Sequence, residues 1–280
     1  MFTVLVVEER RRGIGRWLKS CRPKLEEYHT MNIPWRLIRA PCGAKGPDWK
    51  RIERLAGHHR AKLISFTEEV PPPESSVKLV KLYGFERIMA AKVLCRLLPE
   101  EKAPQTVGVI DPEGRCLSAV EILLGQAECV MVYTNRPERY EWFARRMLEQ
   151  KGAPVVLCQN PNMMTPCRAM LLGGECPDWQ QWVPQGCMVF SAVGQPRNYK
   201  EAVLHSFEPG DGPVLLSGIP KGVAPRLLCA ALYELAAMRE LAGQEPEFYC
   251  LKGQKLSVRK SGKDFGFLDP ARGENKAFRT

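Results

Sequence analysis

The chain carries in close succession Thr106-Val-Gly-Val-Ile-Asp111, Cys129-Val-Met-Val-Tyr-Thr-Asn135 and Val155-Val-Leu-Cys-Gln159. Each is a short apolar run bounded by polar or turn-forming residues, which is typical of a buried strand. Between the second and third runs, Pro137 to Lys151 has apolar side chains at helical spacing, with Asn135 to cap its start and Gly152 to end it. Strands that alternate with helices predict an α/β domain with a parallel sheet.

The turn after the first predicted strand is Asp111-Pro-Glu-Gly-Arg115. In a Rossmann-type dinucleotide-binding domain this turn carries Gly-x-Gly-x-x-Gly, which brings backbone amides and a helix N-terminus close to a pyrophosphate. Here Gly114 allows a tight turn and Arg115 offers a positive charge, whereas Asp111 and Glu113 would repel the phosphates. The sequence therefore predicts a Rossmann-like parallel sheet with helices on both faces, in which pyrophosphate binding is altered or lost.

The second predicted strand ends in Thr134-Asn-Arg-Pro-Glu-Arg139, at the position that meets the ribose of a bound dinucleotide. An arginine at this position accommodates a 2′-phosphate, so Thr134, Asn135, Arg136 and Arg139 are candidate binding residues and NADP is the candidate cofactor. The alternative is that Asn135 caps the following helix and the two arginines are solvated on its first turn.

The remaining elements suggest a division into 1–100, a small N-terminal α/β domain; 105–250, the Rossmann-like domain; and 251–280, a basic C-terminal extension. A helix at about 84–98 is predicted to link the two domains, because Pro and charged residues follow it. The N-terminal strands are predicted at 2–7, 35–39 and 62–66, and its helices at 14–21 and 48–58. Further elements are predicted at 188–192, 214–217 and 255–258 for strands and 224–242 for a helix.

A family resemblance rests on three short segments. Thr134-Asn135-Arg136, Phe190-Ser-Ala-Val-Gly194 and Ala224-Pro225 are similar to motifs of the shikimate dehydrogenases and related two-domain NADP-dependent enzymes. The resemblance implies an NADP-binding second domain in which Gly194 lies at a strand end that faces the nicotinamide. The chain lacks the glycine-rich loop, and it also lacks the family's Asn-Val-Thr-x-Pro-x-Lys segment with its catalytic lysine. The resemblance therefore assigns no catalytic residue.

Two further segments are candidate anion sites. Lys221, in Gly218-Ile-Pro-Lys-Gly222, follows a predicted strand at the carboxyl edge, where ligands of open α/β sheets bind. Arg10-Arg-Arg-Gly-Ile-Gly-Arg16 places four arginines at a predicted helix start. The alternative for each segment is an ordinary solvated loop.

Charge and cysteine content narrow the class of protein. The net charge is +10, with 15 Lys/Arg against 6 Asp/Glu in residues 1–62, and 8 against 3 in residues 252–280. Basic ends suit a polyanion, although solvated surface is the alternative. The 11 cysteines include no Cys-x-x-Cys pair, so we expect reduced thiols, no metal site and a cytoplasmic protein without a membrane span.

Three functions stay open at this point. The first is a protein that binds a small anionic ligand or a protein partner without dehydrogenase activity. The second is an NADP-dependent oxidoreductase that acts on a small polar substrate. The third is a nucleic-acid-binding protein that uses its basic ends. The sequence gives no indication of the oligomeric state.

Overall fold

In the computed structural model the described residues are 1–8, 22–43, 46–65, 70–98, 105–184, 187–193, 203–204, 206–209, 219–238, 241, 246–249 and 255–256. They belong to two compact units: unit 1 spans Met1–Leu82 and Asp211–Gln244, and unit 2 spans Tyr83–Gly210 and Glu245–Thr280. The domain ranges given above stay a prediction. The units differ from them at the expected linker helix, which belongs to unit 2, and at the helix after Ala224, which belongs to unit 1.

The helices and strands are as follows in chain order: β1 Thr3–Glu8, β2 Lys24–Thr30, β3 Ile33–Pro41, α1 Trp49–Ala56, a 3-10 helix Gly57–Lys62, β4 Leu63–Ser65, α2 Gly84–Leu97, β5 Thr106–Ile110, α3 Leu117–Leu123, β6 Cys129–Tyr133, a 3-10 helix Pro137–Arg139, α4 Glu141–Lys151, β7 Val155–Cys158, a 3-10 helix Pro161–Met164, β8 Ala169–Leu172, a 3-10 helix Trp179–Trp182, β9 Met188–Ser191, β10 Val203–Leu204, β11 Ser206–Pro209, α5 Pro225–Leu235, β12 Pro246–Tyr249 and β13 Lys255–Leu256.

Unit 1 contains a four-stranded sheet in the order β2-β3-β1-β4. The three strands expected from the sequence are present as β1, β3 and β4, and β1 is parallel to both of its neighbours. Strand β2 is an addition, antiparallel to β3 across a two-residue turn in which Met31 and Asn32 have φ of 49° and 64°. Positive φ at both positions is the geometry of a type I′ hairpin turn. Strand β2 was not expected from the sequence, because it is rich in charged residues and none of its side chains is buried.

Helix α1 covers the core of unit 1. Its N-cap residue is Asp48, whose Oδ1 accepts a hydrogen bond from the amide of Arg51 at 3.1 Å. Ile52 and Ala56 are fully buried, and they belong to the same apolar cluster as Leu5, Ile38, Ala40, Leu63 and Val77. The helix is therefore fixed by a cap at its start and by apolar contacts along one face.

Unit 2 contains a six-stranded parallel sheet in the order β10-β9-β8-β5-β6-β7. Counted from β5 as the first strand, this is the strand order of the Rossmann fold. Strand β8, which pairs directly with β5, was not expected. Its apolar run is only four residues long, and a 3-10 helix rather than an α-helix connects β7 to it.

Helices lie on both faces of this sheet. Helices α3 and α4 connect β5 to β6 and β6 to β7, and right-handed crossovers place both on one face. The 3-10 helices at 161–164 and 179–182 pack on the other face, where they supply Met164 and Trp179 to its apolar cluster. A β-carbon at Gly108 would lie 3.0 Å from Met164 Cε, so glycine allows this close approach.

The helix expected at 137–151 is present with one interruption. Residues 137–139 form a 3-10 helix, and α4 then runs to Lys151. Tyr140, Phe143 and Met147 are buried as expected, whereas Leu148 is 57% exposed. Gly152 ends the helix with φ 63°, a left-handed conformation that suits glycine.

Some expectations lie outside the described residues, namely the helix at 14–21, the strand at 214–217, the Arg10 to Arg16 segment and Gly194. Helix α5 begins near the expected residue but ends at Leu235, before Ala237 with its φ of 59°. Strands β11, β12 and β13 form a small antiparallel sheet, and β13 begins at the predicted residue. Within the described part of the chain, no helix is long and apolar enough to cross a membrane.

Candidate functional site

The order of the strands in unit 2 reverses between β5 and β8. Strands β6 and β7 follow β5 on one side, and β8, β9 and β10 lie on its other side. In open α/β sheets a crevice forms outside the carboxyl ends of the two strands at this reversal, and ligands bind there. The residues that follow β5 and β8 are Asp111-Pro112 and Gly173-Gly174. They define the candidate site.

Asp111 lies fully buried at the end of β5 and binds two donors through the same oxygen. Its Oδ2 accepts a hydrogen bond from the backbone amide of Cys116 at 2.8 Å, and another from the hydroxyl of Tyr140 at 2.5 Å. Cys116 is the residue at the start of α3. We refer to Asp111, Cys116 and Tyr140 as the Asp111 network. In this network a carboxylate of the chain occupies the helix start that holds a pyrophosphate in dinucleotide-binding domains.

Burial disfavours the charged forms of both Cys116 and Tyr140. Burial raises the pKa of Cys116 well above its ordinary value, and the negative charge of Asp111 raises it further. The pKa of Tyr140 is also raised, mainly by burial. Near neutral pH both groups therefore keep their protons, so Cys116 is not a thiolate nucleophile and Tyr140 acts as a hydrogen-bond donor.

Gly173 and Gly174, which follow β8, allow the backbone to pack closely against Cys116 and Pro112. A β-carbon at Gly173 would collide with Cys116 Sγ, and one at Gly174 would lie 2.9 Å from Pro112 Cδ. Arg87 of α2, which is 6% exposed, donates a hydrogen bond from Nε to the carbonyl of Gly173 at 2.5 Å. Backbone and side chains thus pack against each other at the place where a ligand would enter.

The turn between β5 and α3 also packs against the segment that follows β6. Gly114 has φ 67°, and a β-carbon there would lie 2.7 Å from Arg139 Cδ and 3.0 Å from Arg136 Cβ. Glycine is therefore required both by the backbone conformation and by the two arginine side chains beside it. With Arg115 next in the chain, three arginines surround this turn. We refer to Arg115, Arg136 and Arg139 as the arginine edge.

Backbone hydrogen bonds join the two strand ends on this side. The amide of Asn135 donates to the carbonyl of Pro112 at 3.2 Å, and the amide of Asp111 donates to the carbonyl of Tyr133 at 2.9 Å. Thr134 Oγ1 accepts from the amide of Arg136 at 3.0 Å. The expected cap by Asn135 is absent from the helix that follows, since its side chain instead accepts from the Tyr133 hydroxyl at 3.4 Å.

The arginine edge is exposed and only weakly neutralised. Arg115 pairs with Glu113 at 3.0 Å and Arg136 with Glu138 at 3.9 Å, and all four side chains are more than half exposed. Exposed pairs of this kind contribute at most about 1 kcal/mol. Arg139 forms no ion pair with the described residues. The two carboxylates that were predicted to repel a phosphate therefore differ. Asp111 is buried in the protein, whereas Glu113 is exposed and paired with Arg115.

Lys221 lies in unit 1 and is not part of this group of residues. Its carbonyl accepts a hydrogen bond from Arg39 Nη1 at 2.7 Å. The same guanidinium pairs with Glu8 at 3.2 Å and with Glu26 at 3.3 Å, and Glu26 accepts from the Tyr28 hydroxyl at 2.7 Å. We refer to Arg39, Glu8, Glu26 and Tyr28 as the Arg39 network. Of the predicted binding residues, the structure brings together Gly114, Arg115, Thr134, Asn135, Arg136 and Arg139.

Cys158 and Cys167 are free thiols in the apolar cluster of unit 2, to which Cys187 also belongs. Burial raises the pKa of Cys167 to about 12. Among the described residues, no three His, Cys, Asp or Glu side chains come together as a group that could hold a metal ion.

Sequence reasoning missed Tyr140 as a site residue and missed the two glycines after β8. Tyr140 was expected only as a core residue of a helix. A buried tyrosine hydroxyl normally requires a hydrogen-bond partner, and that requirement was the available signal. For Gly173 and Gly174 the signal was a Gly-Gly pair directly after the apolar run Ala169–Leu172. Arg87 gave no comparable signal, because α2 also carries Glu86, Lys92 and Arg96.

Comparisons with known proteins add little to this description. No protein-family model matches the chain, and no curated protein matches it. Among solved structures it is similar to a Δ1-pyrroline-2-carboxylate reductase from Thermococcus litoralis in complex with NADH and L-proline, with TM-score 0.30 and 14% identity. That match covers 39% of this chain and 36% of the reductase, so the chain spans about a third of the reductase's length.

An archaeal alanine dehydrogenase with bound NAD gives TM-score 0.30 at 16% identity, over 39% of this chain and 34% of the dehydrogenase. A putative aspartate carbamoyltransferase from Trypanosoma cruzi gives TM-score 0.30 at 10% identity, over 86% and 81%. These likenesses are too weak to support a functional argument. The α/β class and the Rossmann-like strand order follow from the sheet itself.

Proposed function

We propose that the protein binds a small phosphate-bearing ligand at the arginine edge and does not carry out dehydrogenase chemistry. The observation that carries this proposal is the Asp111 network. Its carboxylate already accepts from the amide of Cys116, the N-cap residue of α3, and from the Tyr140 hydroxyl. A dinucleotide in the usual pose would place its pyrophosphate against the same amide.

Displacing Asp111 would be costly. Hydrogen bonds to a charged group contribute about 1.5–3 kcal/mol each, and a buried carboxylate that loses its donors keeps its full desolvation penalty. An incoming pyrophosphate would also meet the charge of Asp111 in a site from which water is largely excluded. For these reasons we expect phosphate groups to bind outside the turn rather than in the crevice.

The arginine edge has the chemistry for such a ligand. Guanidinium groups bind phosphate through paired N–H donors, and they do so most readily when their existing partners are weak. Arg115 and Arg136 have exposed glutamate partners on their own loops, and Arg139 has no ion-pair partner within the described residues. A phosphate that contacts Arg136 and Arg139 would therefore exchange weak surface pairs for stronger charge-assisted hydrogen bonds.

The second candidate is an NADP-dependent oxidoreductase. The observation that favours it is that Thr134-Asn135-Arg136 follows the second strand of a Rossmann-ordered sheet, where an arginine accommodates a 2′-phosphate. Both candidates predict that a 2′-phosphate is recognised. They differ in whether the nicotinamide half of the cofactor adds affinity. A cytoplasmic setting for either function stays a proposal.

The experiment is a calorimetric titration with adenosine 2′,5′-bisphosphate, NADPH and NADH. We expect the bisphosphate to bind, NADPH to bind no more than about tenfold more tightly, and NADH to bind weakly. Arg136→Ala and Arg139→Ala should each weaken bisphosphate binding by about tenfold, the loss of roughly one charged hydrogen bond. Arg145→Ala, an exposed arginine of α4, is the matched control and should leave the affinity unchanged.

Two results would reject the proposal. If NADPH binds a hundredfold or more tightly than the bisphosphate and supports hydride transfer, the oxidoreductase is correct. If neither compound binds at millimolar concentration, the arginine edge is not a phosphate site, and a protein partner becomes the remaining form of the binding hypothesis.

A further inference from the structure

A second basic surface lies in unit 1. Helix α1 and the 3-10 helix that follows it line a groove of about 510 Å³ with Lys50, Glu53, Arg54, Gly57, His58 and Arg60. Lys50 and Arg54 are one helical turn apart, so their side chains lie on the same face of α1. Gly57 ends α1 and continues this face into the 3-10 helix. We refer to this surface as the α1 groove.

The charges of the α1 groove are unbalanced. Its one carboxylate, Glu53, accepts a hydrogen bond from the Ser76 hydroxyl and pairs with Arg60 at 3.7 Å. Ser76 in turn accepts from Arg60 Nη1 at 3.2 Å, so Glu53 and Arg60 largely satisfy each other. Within the described residues, neither Lys50 nor Arg54 forms an ion pair with a carboxylate. Two cations therefore stand open to solvent beside His58.

The field around the groove is positive as well. The pKa of His59, the neighbour of His58, is lowered by burial and then by the positive charges of Arg36, the N-terminal ammonium, His58 and Lys62. These charges come from β3, the chain terminus and the 3-10 helix. Burial is the largest cause of the lowered pKa, and the remaining causes are positive charges from several elements of unit 1.

The side chains that line the groove indicate which class of ligand it could bind. Sites for small molecules bury most of the ligand against apolar walls, whereas Lys50, Arg54, Gly57, His58 and Arg60 are exposed. Among the described residues that line the groove, His58 carries the single aromatic ring, so bases would have little surface for stacking. None of these described residues has an apolar side chain, and membrane binding of a helix requires a buried apolar face. A surface with several cations and no apolar contact fits a ligand with a regular row of phosphates.

We propose that the α1 groove binds the phosphate backbone of a nucleic acid without reading its sequence. Lys50 and Arg54 contact phosphates directly, and Arg60, held by Glu53 and Ser76, forms the second wall of the groove. This binding is independent of the arginine edge, which lies in unit 2. It also requires no contribution from the segment 251–280.

The experiment measures fluorescence anisotropy of a labelled 20-base-pair DNA duplex between 50 and 300 mM KCl. Each phosphate contact that is neutralised contributes about 0.9 to the slope of log K against log salt concentration. We therefore expect the double variant Lys50→Gln/Arg54→Gln to reduce the slope by about 1.8 and to weaken binding at least tenfold at 50 mM KCl. The variant Lys50→Arg/Arg54→Lys keeps both charges and should retain the slope of the wild type.

The matched control is Arg145→Gln/Lys151→Gln on α4, which removes the same net charge from unit 2. We expect this control to leave the slope unchanged. The proposal is overturned if the Lys50/Arg54 variant keeps the wild-type slope, if the control lowers the slope equally, or if the wild type binds phosphatidylserine vesicles but not DNA. The Lys50→Gln/Arg54→Gln variant should keep the wild-type calorimetric affinity for adenosine 2′,5′-bisphosphate, so failure here is distinct from failure at the arginine edge.

Discussion

The two units place opposite charges at the carboxyl ends of their strands. In unit 1 the hub is a cation, Arg39, which holds Glu8, Glu26 and the carbonyl of Lys221 at a partly exposed edge. In unit 2 the hub is an anion, Asp111, which is fully buried and holds the amide of Cys116 and the hydroxyl of Tyr140. Water and salt screen the first network and hardly reach the second.

This difference indicates at which network a ligand could replace the existing hydrogen-bond partners. The partners Glu8 and Glu26 are 55% and 36% exposed, so water can replace them at a lower cost than it can replace the buried partners of Asp111. The partners of Asp111 cannot be replaced without leaving buried polar groups unpaired. In unit 2 the groups around the carboxyl end of β5 therefore bind one another, and under the proposed function a ligand would bind at the exposed arginine edge.

The largest effect should follow Asp111→Ala. This change leaves the Cys116 amide and the Tyr140 hydroxyl buried without their acceptor, and each unpaired donor costs about 1–3 kcal/mol. We expect the free energy of unfolding of unit 2 to fall by about 3 kcal/mol in urea titrations followed by circular dichroism. Glu113→Ala removes an exposed carboxylate from the same turn and should cost less than about 0.5 kcal/mol. Equal losses in the two variants would show that Asp111 is not a structural hub.

A direct test of the comparison is to remove one tyrosine hydroxyl from each network. Tyr140→Phe removes a buried donor to a charged acceptor, so we expect a loss of about 1.5–2 kcal/mol. Tyr28→Phe removes the donor to Glu26 at the partly exposed edge and should cost less than about 1 kcal/mol. Urea titrations of both variants give the two values. The distinction between the networks fails if Tyr28→Phe is the more costly change.

A smaller effect should follow Gly114→Ala. Alanine is strained at φ 67°, by about 1 kcal/mol, and its β-carbon displaces the Arg139 side chain. We therefore expect both a modest loss of stability and weaker binding of adenosine 2′,5′-bisphosphate. Gly152→Ala is the control, since Gly152 has φ 63° with no atom within 4 Å of the added β-carbon. It should cost similar stability and leave calorimetric binding intact. Unchanged binding in Gly114→Ala would exclude Arg139 from the ligand site.

The smallest effect concerns the pH dependence of unit 1. The pKa of Glu26 is lowered from 4.5, mainly by the hydrogen bond from Tyr28 and also by Arg39. A carboxyl group whose pKa is lower in the folded state adds stability above its unfolded pKa, and this stability is lost as pH falls through the folded value. The difference in unfolding free energy between wild type and Glu26→Gln should thus be present at pH 7 and vanish in acid. A difference that stays constant from pH 7 to pH 3 would contradict this assignment.

Much of the fold was predictable because its signals are local. The apolar runs of β5, β6 and β7 and the helical spacing of Tyr140, Phe143 and Met147 follow directly from side-chain periodicity. Strand β2 was missed because it is charged and solvated, and β8 because four apolar residues are too few to separate from a loop. Both depend on pairing with a distant strand, which periodicity does not record.

Only the exposed part of the candidate site, the arginine edge, could be predicted from the sequence. Arg136 and Arg139 stand in a recognisable position after the second strand, so their place beside Gly114 could be expected. The role of Asp111 could not. A carboxylate in a turn repels phosphate when it is exposed and replaces phosphate when it is buried, and the sequence does not distinguish the two. Only the contact with Tyr140, 29 residues later, separates them.

The most direct test of the account is an NMR titration of ¹⁵N-labelled protein with adenosine 2′,5′-bisphosphate. The amide of Cys116 reports on the helix start that Asp111 occupies, and the amides of Arg136 and Arg139 report on the arginine edge. The account predicts that the signals of Arg136 and Arg139 shift as ligand is added while that of Cys116 stays in place. A shift of the Cys116 amide as large as theirs would place the phosphate in the crevice and contradict the account.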